Sequence, residues 1–199
     1  MNRLIFIAIM TCFTFSCIAQ DIVLPSPAKT GGKPLMDALN DRHSSREFSD
    51  KELDQQTLSN LLWAAYGFNR EDKRTAPSAN NKQEFTVYVL LKSGIYVYDA
   101  KENTLILKTE GDFRAKSGKQ DFVATAPLNL VYVADLEKMD KGTANADCGF
   151  ISQNVYLYCA SADLGTVVRG WFDQAELKEV LQLGEKEEII LTQTVGYKK

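Results

Sequence analysis

Hydrophobic positions recur along the chain with two different periods, and the switches between them divide it into helices and strands. From Pro34, a residue suited to a first helical turn, Leu35, Met36, Ala38 and Leu39 follow a helical spacing to about Arg42. Ser49 and Glu52 stand at capping-box spacing and predict a second helix, with Leu53, Thr57, Leu58, Leu61, Leu62 and Ala65 on one face and Gly67 at its end. Residues 68–81 are polar, carry Arg70, Lys73, Arg74 and Pro77, and read as a long surface loop, uncommon without a task. β-rich runs follow at 85–91, 95–98 and 105–107, joined by short turns into a meander. A helix is predicted over 112–124 and an apolar central strand over 128–134. The longest helix spans 147–164 and ends at Gly165. Asp173 and Glu176 form a further capping pair before Leu177, Val180 and Leu181, and residues 188–195 read as a last strand.

In the 147–164 helix Phe150, Ile151, Val155, Tyr156, Leu157, Tyr158, Cys159, Ala160 and Ala162 cover almost the whole circumference. A helix buried on that many sides of a small chain points to a subunit interface. Residues 21–199 contain neither repeats nor a linker and read as one α+β domain. The first twenty residues differ: one basic residue at Arg3, an apolar run over 4–15, then Ser16-Cys17-Ile18-Ala19. That is a secretory signal pattern, too short for a membrane span, with cleavage after Ala19 or Gln20 and lipidation at Cys17 as the alternative. It predicts an exported, periplasmic protein with no transmembrane segment once the leader is removed.

Composition narrows the classes. With 199 residues, 45% hydrophobic and 25% charged, the chain is neither disordered nor a disulfide-stapled miniprotein. Its net charge is −3; losing Arg3 with the leader leaves 22 basic against 26 acidic side chains, net −4, which argues against nucleic acid or anionic lipid as partner. A single histidine, His43, excludes a zinc protease of the H-E-x-x-H type and any His-rich metal site. Cys148 and Cys159 are eleven residues apart on the predicted helix. That separation is roughly 16 Å, beyond disulfide reach, so both are expected to be buried thiols.

Three segments carry candidate chemistry. Arg42-His43-Ser44-Ser45-Arg46 offers two guanidinium groups, an imidazole and two hydroxyls, a set that can surround a phosphate; the same cations equally suit the last turn of a helix. Thr75-Ala76-Pro77-Ser78-Ala79-Asn80-Asn81-Lys82-Gln83 brings amides and hydroxyls able to read a heterocycle's polar edge, or simply forms a turn. Leu164-Gly165-Thr166-Val167-Val168-Arg169-Gly170-Trp171-Phe172 reads as a helix exit and hinge where Gly170 permits close backbone approach to a ligand.

In this order the segments resemble the nitroreductase family of flavoproteins, over about residues 34–197. Arg42-His43-Ser44-Ser45-Arg46 is similar to the family's R-R-S-x-R motif, with His43 in place of the second arginine, and Pro77 to Gln83 to its P-S-A-x-N-x-Q loop. Leu61-Leu62-Trp63-Ala64-Ala65-Tyr66-Gly67, Gln153-Asn154, Leu164-Gly165 and Val195-Gly196-Tyr197 add to the likeness. The resemblance implies a mainly antiparallel sheet flanked by helices, in an intertwined homodimer with two FMN groups at the subunit interface. It places Arg42, His43, Ser44 and Arg46 at the FMN phosphate. Ser78, Asn81 and Gln83 fall along the ribityl chain and ring, and the backbone of Arg169 and Gly170 near flavin N5. Many relatives carry a C-terminal arm with a basic phosphate contact; this chain stops at Lys199, and Lys198 is the candidate substitute.

The implied activity is hydride transfer from NAD(P)H through flavin N5 to a nitroaromatic, quinone or similar small conjugated acceptor, with no catalytic side chain beyond the flavin. Arg169 or Lys82 is the candidate positive charge near N1. Two alternatives stay open: a specialised flavin dehydrogenase of the peptide-azoline oxidase type, and a non-enzymatic exported binding protein that has lost flavin.

Overall fold

A computed structural model describes residues 20–199; the leader read at 1–20, with Cys12 and Cys17, lies outside the described residues up to residue 19. In chain order the elements are β1 (Ile22–Val23), α1 (Leu35–Asp41), α2 (Gln55–Tyr66), β2 (Phe68–Arg70), β3 (Lys73–Arg74), β4 (Phe85–Leu91), β5 (Gly94–Asp99) and β6 (Thr104–Glu110). They continue with α3 (Phe122–Thr125), β7 (Leu128–Asp135), α4 (Lys141–Ser161), β8 (Leu164–Arg169), α5 (Gln174–Val180) and β9 (Glu187–Tyr197). Seven strands form one sheet in the order β1-β6-β5-β4-β7-β9-β8, every neighbouring pair antiparallel. This is the helix-flanked α+β architecture expected from the resemblance.

The sheet's two faces explain the run of apolar residues at β7. Leu128, Leu130, Tyr132 and Ala134 enter the larger core, beneath α2 and α4. Val131 and Val133 enter the smaller core, against Leu177 and Leu181 of the α5 region. β4 divides the same way, Phe85, Val87 and Val89 to one side and Tyr88 and Leu90 to the other. A strand covered on both faces has no polar alternation to show. Cys148 and Cys159 are buried free thiols on α4, and burial pushes both thiol pKa values up.

Five expectations are corrected. The cap of α2 is Asp54, not Ser49: Asp54 Oδ1 accepts the Thr57 amide at 2.9 Å, while Ser49 Oγ accepts from the Lys51 amide at 3.1 Å. The helix predicted over 112–124 is a 3-10 turn at Arg114–Ser117 and the short α3, separated at Gly118. Residues 68–81 are not one loop, since β2 and β3 pair as a small hairpin. The segment 164–172 is not a helix exit. Asp163, at φ 56°, turns the chain, and the β-branched Thr166, Val167 and Val168 pair with β9 as a sheet-edge strand. α4 itself starts six residues earlier than predicted, where Asp140 caps Thr143 at 3.1 Å.

Candidate functional site

The chain leaves α1 in extended conformation at Arg42 and runs alongside β8 and the end of β9. The Ser45 amide donates to the Thr166 carbonyl at 2.9 Å, the Ser49 amide to Tyr197 at 2.9 Å, and Phe48 bridges to Lys198. Two opposed glycines make room. Gly165 and Gly196 are register partners; a Cβ on the first would lie 3.0 Å from Ser45 Oγ, and one on the second 2.7 Å from Pro127 Cδ. The glycines singled out in the sequence therefore serve close packing, by which 45–48 is seated on the sheet edge.

Tyr156 of α4 organises the basic segment. Its hydroxyl accepts the Val168 amide at 3.0 Å and lies 2.9 Å from Ser44 Oγ, and its ring faces the Arg42 guanidinium at 5.2 Å. His43 Nδ1 donates to the Asp41 carbonyl at 2.7 Å. Lys198 shares a narrow crevice with Asp41, His43 and Tyr156. Lys33 bridges Asp41 at 3.2 Å and Asp163 at 2.8 Å, occupying the acids at this end of the molecule. Those two carboxylates, Asp163 foremost, raise the Lys33 pKa above its ordinary 10.5. Among the described residues Arg42, Arg46 and Lys198 have no carboxylate partner.

The 77–83 loop is folded on itself. Ser78 Oγ accepts the Gln83 amide at 2.9 Å; the Gln83 side chain accepts from Arg74 Nε at 2.9 Å and donates to the Asp72 carbonyl at 2.7 Å and to Asn81 Oδ1 at 3.1 Å. Asn80, Asn81 and Gln83 all have positive φ, 52°, 55° and 48°, costly for residues with side chains. Lys82 is exposed. Asp147 of α4 ties the loop down by accepting the Ala79 amide at 2.8 Å.

Arg169 does not present its charge at the surface. It is 5% exposed, turned toward the 114–129 segment, and donates to the Ser117 carbonyl at 3.1 Å and Asn129 Oδ1 at 3.0 Å; its Nε has no partner. Burial lowers its pKa to about 10. The expected charge near a ring nitrogen is therefore not offered by an open Arg169 side chain, whereas Gly170 is exposed at the end of β8.

Arg42, His43, Ser44 and Lys198 are thus gathered around Tyr156, with Arg46 two residues beyond Ser44 and Gly170 at the end of the adjoining strand. Ser78, Asn81 and Gln83 form a second group, anchored on α4 nine residues before Tyr156, about 14 Å along the helix axis. A cleft of about 480 Å³ is lined by Lys29, Trp63, Phe68, Arg70, Tyr98 and Lys101. Sequence reasoning did not assign roles to Tyr156, Lys33, Glu84 or Asp147. Tyr156 was visible only as one more aromatic on an apolar helix, and nothing local marks its hydroxyl as a hub.

The site is a cationic cradle on the edge of an antiparallel sheet, with a separate amide-rich loop on the same long helix. Comparison with known proteins gives the class: the nitroreductase family model matches residues 39–197, and the chain belongs to that family of oxidoreductases. A Methanocaldococcus jannaschii protein bearing the nitroreductase name is 34% identical over 182 residues, covering 82% of this chain and 91% of its own. A crystal structure from Ralstonia eutropha JMP134, also bearing that name, is 44% identical with a TM-score of 0.86, each chain covered to 92%. A nitroreductase-named structure from Desulfovibrio desulfuricans, solved in complex with FMN, shares the fold at 19% identity and a TM-score of 0.61, over 84% of this chain and 88% of that one.

Proposed function

We propose that this protein binds FMN as a homodimer and passes hydride from NADH or NADPH through flavin N5 to a nitroaromatic, quinone or similar conjugated acceptor. The observation that carries the reading is the group of cations left unpaired beside Tyr156. Arg42 and Lys198 with the Ser44 hydroxyl match a phosphate monoester, whose oxygens take forked, charge-assisted hydrogen bonds, and Arg46, two residues on, adds a third cation. Lys33 supports the match by occupying Asp41 and Asp163, acids that would otherwise repel the anion. The loop fits the polar remainder of the cofactor: Ser78 keeps its hydroxyl hydrogen to donate, and Asn81 Oδ1 keeps a lone pair.

FMN, when bound, supplies the hydride chemistry; the chain supplies grip, orientation and a shaped surface. The exposed backbone at Gly170 leaves a face open for donor and acceptor in turn. A second copy completes the site in this proposal. Leu35, Met36 and Leu39 of α1 are 63%, 74% and 43% exposed, and Phe150 of α4 is 47% exposed. Covering that face with the same face of a partner sets the loop of one subunit near the cradle of the other. With the leader read at residues 1–20, we place the protein in the periplasm.

The purified protein is expected to show flavin absorbance, to bleach with NADH or NADPH, and to recover with a quinone. A colourless preparation that takes up no added FMN would overturn the reading. Arg46→Ala is expected to weaken FMN binding by about ten- to a hundred-fold, the loss of a charged hydrogen bond. Unchanged flavin content in that variant would remove the phosphate assignment while leaving the oxidoreductase class intact.

A further inference from the structure

Glu84, immediately after the 77–83 loop, is 1% exposed, and both its carboxyl oxygens are buried without a donor from any other described residue. Asp147, 4% exposed, stands within hydrogen-bonding distance of it, and Asp147 Oδ2 holds the Ala79 amide. Two ionised carboxylates in contact away from water repel strongly, and a buried acid without donors favours its neutral form. We infer that Glu84 and Asp147 share one proton, donated by Glu84 to Asp147, and that this bond holds the 77–83 loop in its flavin-binding shape. Glu84 is then a positioning residue. The loop needs such a tether because three of its residues are in the left-handed region. The pair ties the loop's start, at Ala79, to its end, where the Glu84 carbonyl accepts the Asp135 amide at 3.0 Å.

The ionisable groups around Glu84 do not supply a replacement for the proton. Tyr66 on α2 and Cys148 on α4 are neutral, and their own ionisation is disfavoured by burial and by Glu84. Arg74 lies over the Tyr66 ring at 4.4 Å and directs its Nε and Nη1 hydrogen bonds to Gln83 and the Tyr66 carbonyl. Lys138, after β7, draws Glu84 downward, but is paired with Asp135 at 3.3 Å and half exposed. Burial first, and Asp147 with it, outweigh Lys138 and Glu84's own amide and raise the Glu84 pKa above its ordinary 4.5. The sign follows: the tether is intact at acid pH and is lost as pH rises through that raised value.

Only the flavin half of this inference rests on the function proposed above. FMN affinity is measured by fluorescence titration from about pH 5 to about pH 9, alongside amide exchange at Ala79 and Gln83 in the flavin-free protein. Wild type is expected to lose affinity and Ala79 protection with rising pH, by on the order of ten-fold, relative to Glu84→Gln. Glu84→Gln retains the donor without the titration and is expected to bind as wild type does at acid pH. It also subtracts the phosphate's own titration near pH 6. Asp147→Asn, whose amide can donate to an ionised Glu84 while its oxygen takes Ala79, is expected to lose the pH dependence as well. The proposal fails if Glu84→Gln keeps the wild-type pH profile, or if wild type shows no such dependence. If no pH admits FMN, the proposed function fails and the exchange data alone decide the proton-sharing pair.

Discussion

Arg169 carries a full charge into the interior with no carboxylate to meet it, held by one carbonyl and one amide oxygen. A cation so placed depends on each of those contacts, since displacing it leaves it unsatisfied where water cannot reach. Gly118 guards the arrangement: a Cβ there would fall 1.8 Å from Arg169 Nη1 and 3.0 Å from Val123 Cγ2. Gly118 has an extended φ of 178°, so the constraint is space alone. Gly118→Ala is expected to destabilise the protein by about 2–3 kcal/mol, seen as a fall of roughly 4–12 °C in Tm. An unchanged Tm would show that the guanidinium has room to move. The sequence marked Arg169 and Gly170 as neighbours worth naming but did not reveal which way the arginine turns. That depends on Ser117 and Asn129, 52 and 40 residues away along the chain. The Arg42–Arg46 segment was legible because its residues are consecutive; Tyr156, 112 residues from Ser44, was not.

At the scale of elements, caps separate what local chemistry announces from what it leaves open. Asp173 caps α5 through the Glu176 amide at 3.1 Å, as its spacing foretold. Asp54 caps α2 by a stronger arrangement: Oδ1 accepts the Thr57 amide at 2.9 Å and Oδ2 the Thr57 hydroxyl at 2.7 Å. Those two bonds, the amide first, hold the Asp54 carboxyl below its ordinary 3.8. Asp54→Ala is expected to cost about 1 kcal/mol in urea unfolding at neutral pH. For a lowered carboxyl the advantage is present above about pH 4 and fades as acid protonates it, so the difference between variant and wild type should shrink there. A difference that persists undiminished in acid would exclude the carboxylate as its source. The capping-box spacing pointed to Ser49, upstream of Asp54. The chain between them is drawn aside by Phe48 and the Ser49–Tyr197 bond, so only Asp54 is left at the helix start.

For the whole molecule, α1 and α4 leave Leu35, Met36, Leu39 and Phe150 exposed. α4 was expected to be buried on most sides; in the chain Gly142, Ala146, Gly149, Phe150 and Gln153 are exposed at helical spacing. Met36, 74% exposed, contributes little to the fold of one chain, so Met36→Glu is expected to leave helix content unchanged. In the proposed dimer it sets a charge into an apolar contact, shifting sedimentation toward monomer and lowering bound FMN together. A variant that stays dimeric and flavin-loaded would place the interface elsewhere.

Amino-acid order alone determined most of the helices and strands and the basic and amide-rich segments, because these depend on spacing between neighbours in the chain. Only the tertiary structure decided that residues 164–169 become a sheet edge, that Arg169 turns inward, that Tyr156 gathers the basic segment and that Glu84 meets Asp147. Each of those outcomes follows from packing and hydrogen bonds between residues far apart in the chain, whose energies no local pattern contains.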